Sequence, residues 1–312
     1  MPLMSSARYL VTGAAGFVGA AVARALVSNG AEVHGASRSA RAGPEGVRMH
    51  QCDLLTGEGV VALLETVRPT HLIHAAWDVT HGVYWTAPTN MAWLAASVHL
   101  LDQFFAFGGQ RAVGVGTCAE YTWPQADFVE RTSATAPHTP YGQCKLALFH
   151  AFEAARLMGR SVSWARLFFP YGPGDGEARF LPSMIRTLIA GRAFDTTSGE
   201  QIRDFVYIAD IGEAISAIAR SDVQGPVNVA SGAGAALKDV AQEAARQLGA
   251  APDLLRFGAL PNRPDDPASI VGDVRRLTEE VGYRPQIDWR TGVKLTIQAR
   301  AETRPNAAGG LQ

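Results

Sequence analysis

The chain has 312 residues and a formal net charge of −1, with 47% hydrophobic and 18% charged residues. These are the proportions of an ordinary globular protein, and no run of lysine and arginine offers the basic surface that nucleic acid requires. No apolar run reaches the roughly 20 residues of a membrane-spanning helix. We therefore expect neither nucleic acid nor a membrane among its partners.

The first half of the chain alternates short apolar runs with helical patterns. The predicted strands are 8–13, 31–37, 47–54, 70–76, 111–117 and 161–168. The predicted helices are 17–28, 59–67, about 89–107 and 141–158. This alternation predicts an α/β fold, a Rossmann-type doubly wound parallel sheet. An α+β fold with an antiparallel sheet would need hairpin turns, and the sequence has none between these strands.

The alternation stops after Pro170. The later predicted elements are a helix at 181–191, a strand running into a helix over 203–221, a strand at 225–231, and helices at 237–248 and 273–281. We predict an NADP-binding Rossmann domain of residues 1–171 plus about 201–222, a smaller substrate-binding lobe of 172–200 plus 223–303, and a flexible tail, 304–312.

Three glycines, Gly13, Gly16 and Gly19, stand between the first predicted strand and the first predicted helix. Glycine allows a tight turn and a close approach to a pyrophosphate, and the helix N-terminus offers free N–H groups to the phosphates. The alternative is a tight turn without a ligand. The position between strand and helix favours a dinucleotide cofactor, held by this turn together with Phe17 and Val18.

The residues after the next two strands bear on the choice of cofactor. The second strand ends in Ser37 and Arg38, where an NAD-binding site usually has Asp or Glu for the ribose 2′-hydroxyl. A hydroxyl and a guanidinium can bind a 2′-phosphate, so NADP(H) is favoured over NAD(H); the alternative is a solvated Arg38. Asp53 and Leu54 are placed to contact the adenine. The alternative is that Asp53 caps a helix and Leu54 packs in the core.

The cysteines and histidines give no sign of a metal site. Cys52, Cys118 and Cys144 lack C-x-x-C spacing, which argues against a disulfide framework and against zinc, and favours a reducing cytoplasmic location. His71 and His74 alternate on a predicted buried strand, so we expect core histidines rather than metal ligands.

A phenol and an ammonium are predicted on one helix face, because Tyr141 and Lys145 are four residues apart just after Pro140. Taken alone, the pair fits a surface aromatic and a solvated lysine as well as it fits a catalytic pair. The rest of the chain has to distinguish the two.

Several short motifs in their order resemble an extended short-chain dehydrogenase/reductase of the NAD-dependent epimerase/dehydratase family, which acts on nucleotide sugars. The motifs span nearly the whole chain: TGAAGFVG, HAA, GTCAEY, YGQCK, RLFFPYGPG, RDFVYIAD and SIVGDVRRL. The resemblance implies an NAD(P)-dependent oxidoreductase with Thr117, Tyr141 and Lys145 as catalytic residues. Tyr141 would be the acid/base at the sugar carbonyl, Lys145 would favour its phenolate and bind the nicotinamide ribose, and Thr117 would hold the reacting oxygen.

The resemblance implies further contacts. Those to the cofactor fall to Ala75, Ala76, Phe168 and Pro170, and those to the substrate to Trp77, Thr117, Cys118, Arg203 and Arg263. The two arginines would bind the diphosphate. Arg166, inside an apolar strand, is expected to form a structural ion pair.

The chain also departs from the family pattern. Phe169 stands where many relatives carry an Asn near the nicotinamide. Cys118 and Ala119 stand where sugar-nucleotide dehydratases of the family typically place Asp and Glu. Glu120 is the nearest carboxylate, and along an extended backbone its side chain would face away from Thr117.

Three functions follow from this pattern. The first is an NADPH-dependent ketoreductase of a nucleotide-linked 4-keto-6-deoxysugar, in deoxysugar biosynthesis. The second is a nucleotide-sugar epimerase with tightly bound NAD(P). The third, of another class, is a non-catalytic dinucleotide-sensing protein, because a fold alone does not establish a function.

The chain is also expected to form a homodimer. In relatives, the helices at 89–107 and 141–158 pair with their copies. Here they carry more apolar residues than one buried stripe requires, namely Trp93, Leu94, Leu100, Phe104, Phe105, Phe149 and Phe152.

Overall fold

The computed structural model describes residues 7–123 and 128–302, so the predicted tail lies outside the described residues. The strands are β1 Arg8–Thr12, β2 Glu32–Ser37, β3 Val47–Gln51, β4 His71–His74, β5 Arg111–Thr117, β6 Ser161–Leu167, β7 Phe169–Tyr171, β8 Phe194–Asp195, β9 Ile202–Arg203, β10 Phe205–Tyr207, β11 Gly225–Val229, β12 Ala235–Ala236, β13 Leu255–Arg256 and β14 Ser269–Ile270. The α-helices are α1 Phe17–Ser28, α2 Glu58–Val67, α3 Thr89–Ala106, α4 Pro140–Leu157, α5 Phe180–Ile189, α6 Ile208–Arg220, α7 Leu237–Leu248 and α8 Trp289–Glu302.

Seven strands form one parallel sheet in the order β11-β6-β5-β4-β1-β2-β3. The predicted doubly wound Rossmann-type sheet is therefore confirmed. The chain moves outward from β1 to β3 and then returns to place β4 on the other side of β1. Ligands of such sheets bind at this change of direction, outside the carboxyl ends of the strands.

Both faces of the sheet are covered, because its central strands carry apolar side chains on both sides. Leu10 and Leu72 face the core formed with α2, α3 and α4, and Val11 and Ile73 face the core formed with α1 and α6. No helix of residues 7–123 and 128–302 combines the length and the apolarity needed to cross a membrane.

Most apolar side chains of α3 and α4 pack within this chain's own core. The expectation that these side chains are left over for a dimer interface is therefore corrected. Of the seven apolar residues expected at the dimer interface, five are buried in this chain's own core: Trp93, Leu100, Phe104, Phe105 and Phe152. Leu94 and Phe149 are half-buried. The large apolar side chains that remain exposed on the two helices are different ones, Met91, Val98 and Leu157.

The remaining elements lie beyond the sheet. β12, β9 and β14 form a small sheet, and β8 with β13 and β7 with β10 form two further pairs. Asp204, fully buried after β9, links this region together. Its carboxylate accepts hydrogen bonds from the N–H groups of Ser231 (2.7 Å), Gly232 (3.1 Å) and Gly272 (3.1 Å). Burial raises the pKa of this carboxyl, and these donors oppose the rise. The domain boundaries drawn from the sequence stay a prediction.

Two helical elements in the C-terminal half differ from the sequence prediction. The helix expected at 273–281 is a short π-helical segment, Arg276–Glu280, closed by a hydrogen bond from the Val281 N–H to the Arg276 carbonyl. The helix α8 was not predicted. Its buried side is narrow and contains Gly292, which is weak in helix propensity and sits where a Cβ would collide with the Tyr171 hydroxyl. Such a helix leaves little apolar periodicity in the sequence.

Candidate active site

The predicted site residues converge at the carboxyl edge of the parallel sheet. The glycine turn follows β1, Arg38 follows β2, Trp77 follows β4 by three residues, and Cys118 follows β5. Parallel strands bring all these ends to one edge, where loops can hold a ligand without interrupting the sheet.

The glycine turn is packed too tightly for any other residue at two of its positions. Gly13 has a φ of +70°, and a Cβ there would lie 3.0 Å from the backbone of Ala76. A Cβ on Gly19 would collide with the Gly13 carbonyl. Gly16 is the N-cap of α1 and contributes no side-chain cap, so the first N–H groups of the helix have no partner within it. This cradle fits the pyrophosphate of a dinucleotide.

A buried hydrogen-bond chain fixes the loop opposite the glycine turn. Ser97 Oγ donates to the Trp93 carbonyl, and His74 Nε2 lies 2.7 Å from Ser97 Oγ. His74 Nδ1 lies 2.8 Å from Thr12 Oγ1, which in turn accepts from the Ala76 N–H. Burial lowers the pKa of His74 to about 3, so the imidazole is neutral. His74 is thus a satisfied core histidine, as expected, and Ala76 is held against Gly13.

The residues predicted to select the cofactor lie at the surface. Ser37 Oγ donates to the Ser39 carbonyl, and the Arg38 guanidinium lies 6.0 Å from the centre of the Trp93 ring. No salt bridge joins Arg38 to another residue that the structure describes. Asp53 Oδ1 accepts from the Leu55 N–H, as a turn-forming Asp does, while Leu54 is buried.

Thr117, Tyr141 and Lys145 come together between β5 and α4. Thr139 caps α4 by accepting from the Gly142 N–H, and the Tyr141 N–H donates to the Trp85 carbonyl. The Tyr141 side chain lies beside Thr117, and Lys145 Nζ donates to the Val115 carbonyl at 3.0 Å. Both Tyr141 and Lys145 are buried, so the interpretation as a surface aromatic and a solvated lysine is wrong.

Burial acts on both groups in the direction that favours their neutral forms. It raises the pKa of Tyr141, with the neighbouring Tyr84 adding to the rise, while the Thr117 side chain opposes it. It lowers the pKa of Lys145 to about 7, against the attraction of Glu120. Around pH 7, Tyr141 is therefore a phenol, able to give up a proton to a reacting oxygen, and Lys145 is close to its own titration point.

Three aromatic rings surround the ring of Tyr141. Tyr84, Trp85 and Trp77 meet it edge-on, with ring centres 4.8, 5.6 and 6.4 Å away. Burial raises the pKa of Tyr84 to about 12. The contacts of Tyr84 and Trp85 with Tyr141 were not predicted from the sequence, because loop aromatics carry no periodicity that predicts what they contact.

Glu120 is withdrawn from the reacting groups. Residues Cys118–Glu120 form a 3₁₀ turn, not the extended backbone expected from the sequence. The Glu120 carboxylate turns back to accept from the Thr117 N–H (2.8 Å), Trp164 Nε1 (2.9 Å) and Arg166 Nε (2.7 Å). Glu120 and Arg166 are almost inaccessible to solvent, so the structural ion pair expected for Arg166 is confirmed.

Neither of the two residues between Thr117 and Glu120 can act as a general acid near neutral pH. Burial raises the pKa of the Cys118 thiol to about 12, with a further rise from the charge of Asp204, so the thiol keeps its proton through the neutral range. Ala119 has no ionisable group. The positive charge of Arg203 opposes this rise in the pKa of Cys118, because Arg203 lies close to the end of β5.

Arg203 is already paired in the structure. Its guanidinium donates to Asp266 Oδ1 (2.5 Å) and to the carbonyls of Ile202 and Pro267. Arg263 is exposed in the same turn, where its carbonyl accepts from the Asp266 N–H. The two predicted arginines thus belong to one local unit. Asp266 was missed by sequence reasoning, since nothing in the sequence marks it as a partner of Arg203.

The three residues after β6 differ in what they offer to a ligand. The Phe168 ring is buried and packs edge-on to Phe128 at 6.2 Å, so only its backbone remains for a cofactor. The Phe169 ring lies 5.6 Å from the Arg203 guanidinium, and Pro170 is half-buried in β7. No cluster of potential metal ligands occurs among the residues that the structure describes.

The chain is similar to several known proteins along nearly its whole length. The chain is 26% identical to UDP-glucose 4-epimerase of Streptomyces lividans over 90% of this chain and 92% of that protein. It is 27% identical to dTDP-6-deoxy-L-talose 4-dehydrogenase (NAD(P)(+)) of Kitasatospora kifunensis over 94% and 95% of the two chains. The structure of Thermus thermophilus UDP-glucose 4-epimerase in complex with NAD superimposes with a TM-score of 0.83, at 25% identity over 95% of this chain and 100% of that one.

The model of the NAD dependent epimerase/dehydratase family matches residues 9–230, which is well over half of the chain. The matched part contains the glycine turn, the catalytic candidates and all of the parallel sheet except its first residue, Arg8. The chain therefore belongs to the NAD dependent epimerase/dehydratase family, whose members are NAD(P)-dependent enzymes of nucleotide sugars.

Proposed function

We propose that this protein is an NADPH-dependent ketoreductase that acts on a nucleotide-linked 4-keto-6-deoxysugar. One observation carries the proposal. Tyr141 lies beside Thr117 and Lys145, while the nearest carboxylate, Glu120, is committed to Arg166. The site has the groups needed to protonate one carbonyl oxygen and lacks a second acid.

Bound NADPH would supply a hydride to the carbonyl carbon of the sugar. Tyr141 gives its phenolic proton to the carbonyl oxygen, which becomes the hydroxyl of the product. Thr117 hydrogen-bonds the same oxygen, and the Lys145 ammonium stabilises the phenolate that remains until solvent returns a proton. The turn at Gly13, Gly16, Phe17, Val18 and Gly19 would hold the pyrophosphate of the cofactor.

The same residues argue against dehydration of an intact hexose. That reaction oxidises C4, removes the C5 proton and protonates the departing 6-hydroxyl, so it needs acid/base groups beyond Tyr141. Cys118 keeps its proton, Ala119 has none to give, and Glu120 faces Arg166. The 27% identity to a 6-deoxysugar 4-dehydrogenase along nearly the whole chain supports the reductase.

Epimerisation with tightly bound NAD(P) is the second candidate, and the 26% identity to a UDP-glucose 4-epimerase favours it. An epimerase also needs only one acid/base residue at C4, so the set of Thr117, Tyr141 and Lys145 would serve. The burial of Tyr141 and Lys145 beside Thr117 makes a non-catalytic dinucleotide sensor the least economical interpretation.

The substrate diphosphate would meet Arg203 and Arg263, and the sugar would meet Trp77 and Cys118. Arg203 is held by Asp266 and two carbonyls, so its guanidinium is oriented before any ligand arrives. The remaining contacts proposed for the cofactor are those of Ser37, Arg38, Asp53, Leu54, Ala75, Ala76, Phe168 and Pro170. The three free, buried cysteines support a cytoplasmic location.

The reaction itself is the first prediction. A 4-keto-6-deoxy nucleotide sugar should consume NADPH one-for-one, followed at 340 nm, with an alcohol as product. Intact nucleotide hexoses with catalytic NAD(P) should give neither a 4-keto-6-deoxy product nor a C4 epimer. Formation of the former would make the protein a dehydratase, and formation of the latter an epimerase.

Removal of the phenolic hydroxyl is the second prediction. Tyr141→Phe keeps the ring and its packing, so cofactor binding should survive while kcat falls by roughly 10²–10⁴-fold. The control is Tyr9→Phe, the same chemical change at the amino end of β1. Turnover of Tyr141→Phe near that of the control would remove Tyr141 from the mechanism.

Cofactor selection is the third prediction. Arg38→Asp should weaken NADPH binding by about 2–4 kcal/mol more than NADH binding, because a charge-assisted contact to the 2′-phosphate is lost and repulsion is added. Arg41→Asp, the same charge change in the same exposed loop, serves as the control. Equal weakening of both cofactors, measured by titration calorimetry, would show that Arg38 is not the selector.

A C2 homodimer through α3 and α4 is the fourth prediction. Met91, Ala95 and Val98 on α3, with Ala147 and Ala154 on α4, are exposed. The three alanines would let two helices approach closely, and Met91 and Val98 would bury apolar surface between them. Light scattering at micromolar concentration should give twice the mass of 33.2 kDa. Val98→Glu should shift the mass towards one chain, whereas the exposed Thr66→Glu on α2 should not. A monomeric wild type would contradict the dimer.

A further inference from the structure

We propose that Trp77 is a positioning residue that keeps the Lys145 ammonium charged through a cation–π contact. Lys145 Nζ lies 4.0 Å from the centre of the Trp77 ring, well inside the distance of about 6 Å at which such contacts stabilise a cation. Tryptophan is the most effective of the aromatic partners, and the contact strengthens when it is shielded from water. Both conditions hold here, since Lys145 is 4% exposed.

The ring is fixed in the orientation that this contact requires. Trp77 Nε1 donates to Asn90 Oδ1 at 2.8 Å, and Trp93 stacks against Trp77 with ring centres 6.2 Å apart. Asn90 is itself buried, and its amide nitrogen donates to the carbonyls of Tyr84 and Ala87. Trp77 is therefore held by a fully used amide and cannot turn from Lys145 without breaking these bonds.

None of the other described groups that face Lys145 pairs directly with its ammonium as a counter-ion. No salt bridge joins Lys145 to a carboxylate in residues 7–123 and 128–302. Glu120, from the turn after β5, attracts the ammonium but is paired with Arg166. His74, from β4, is neutral, and Tyr141 on the same helix is a phenol in the free protein. The Val115 carbonyl of β5 accepts one of the three ammonium protons.

A charged Lys145 matters for the reaction, and this step rests on the proposed function. The ammonium lowers the free energy of the Tyr141 phenolate, which forms when the proton is given away. Burial, only partly offset by the attraction of Glu120, brings the pKa of Lys145 down to about 7, so that a large share of the lysine would lose its charge near neutral pH. The ring opposes this loss, because its negative face stabilises only the charged form.

The composition of the chain allows a direct test. It contains three lysines, Lys145, Lys238 and Lys294, so ¹³C-lysine labelling gives three Cε resonances whose midpoints can be followed with pH. Lys238, paired with Glu200, and the exposed Lys294 provide internal references. The measurement needs neither substrate nor cofactor, so it decides on Trp77 independently of whether the ketoreductase assignment is correct.

The expected result is a Lys145 midpoint that depends on the ring. Trp77→Leu should lower it by about 1 pH unit, and Trp77→Phe, which keeps a weaker aromatic face, should lower it by less. The midpoints of Lys238 and Lys294 should not move. An unchanged Lys145 midpoint in Trp77→Leu, or an equal shift in both variants, would overturn the proposal.

Fluorinated tryptophan provides a test that leaves the sequence unchanged. The chain has six tryptophans, and among the cation–π contacts of the described residues only Trp77 faces a lysine. Fluorine withdraws electron density from the ring face with little change in shape, so global incorporation of a multiply fluorinated tryptophan should lower the Lys145 midpoint alone. A Lys145 midpoint equal to that of the unlabelled protein would contradict the cation–π contact even if the Trp77 variants failed to fold.

Discussion

The buried ion pair between Glu120 and Arg166 is the constraint on which the arrangement of the site depends. A buried carboxylate must be matched by donors, and removing one partner of such a pair typically costs about 3–5 kcal/mol. Glu120 meets this requirement with three donors, from the backbone of Thr117 and the side chains of Trp164 and Arg166. The bond to the Thr117 N–H fixes the end of β5, and therefore the position of the threonine hydroxyl beside Tyr141.

The same pair limits the chemistry. A carboxylate three residues from Thr117 would be an obvious second acid, but Glu120 is enclosed by the fold and neutralised by Arg166. With Cys118 protonated and Ala119 inert, proton transfer in the proposed reaction would fall to Tyr141 alone. Site chemistry of this kind is set by which groups are kept away from the substrate as much as by which groups face it.

Desolvation is the second force acting on the site. It raises the pKa of Tyr141, lowers that of Lys145 to about 7 and lowers that of His74 to about 3. Each group is therefore biased towards its neutral form by the same burial. What distinguishes the three is the partner that each one meets: a threonine hydroxyl for Tyr141, two neutral hydroxyls for His74, and an aromatic face for Lys145.

The sequence by itself determined the parallel sheet, the glycine turn after β1 and the Tyr141–Lys145 pair, because these follow from periodicity and from local spacing. It also marked Arg166 as a structural ion-pair residue, since an arginine inside an apolar strand needs a partner. Only the tertiary structure decided which partner that is, that Asp266 holds Arg203, that α8 exists, and that Trp77 lies against Lys145. Each of these depends on residues distant in the chain that packing alone brings together, and such contacts leave no period or spacing in the sequence from which they could be read.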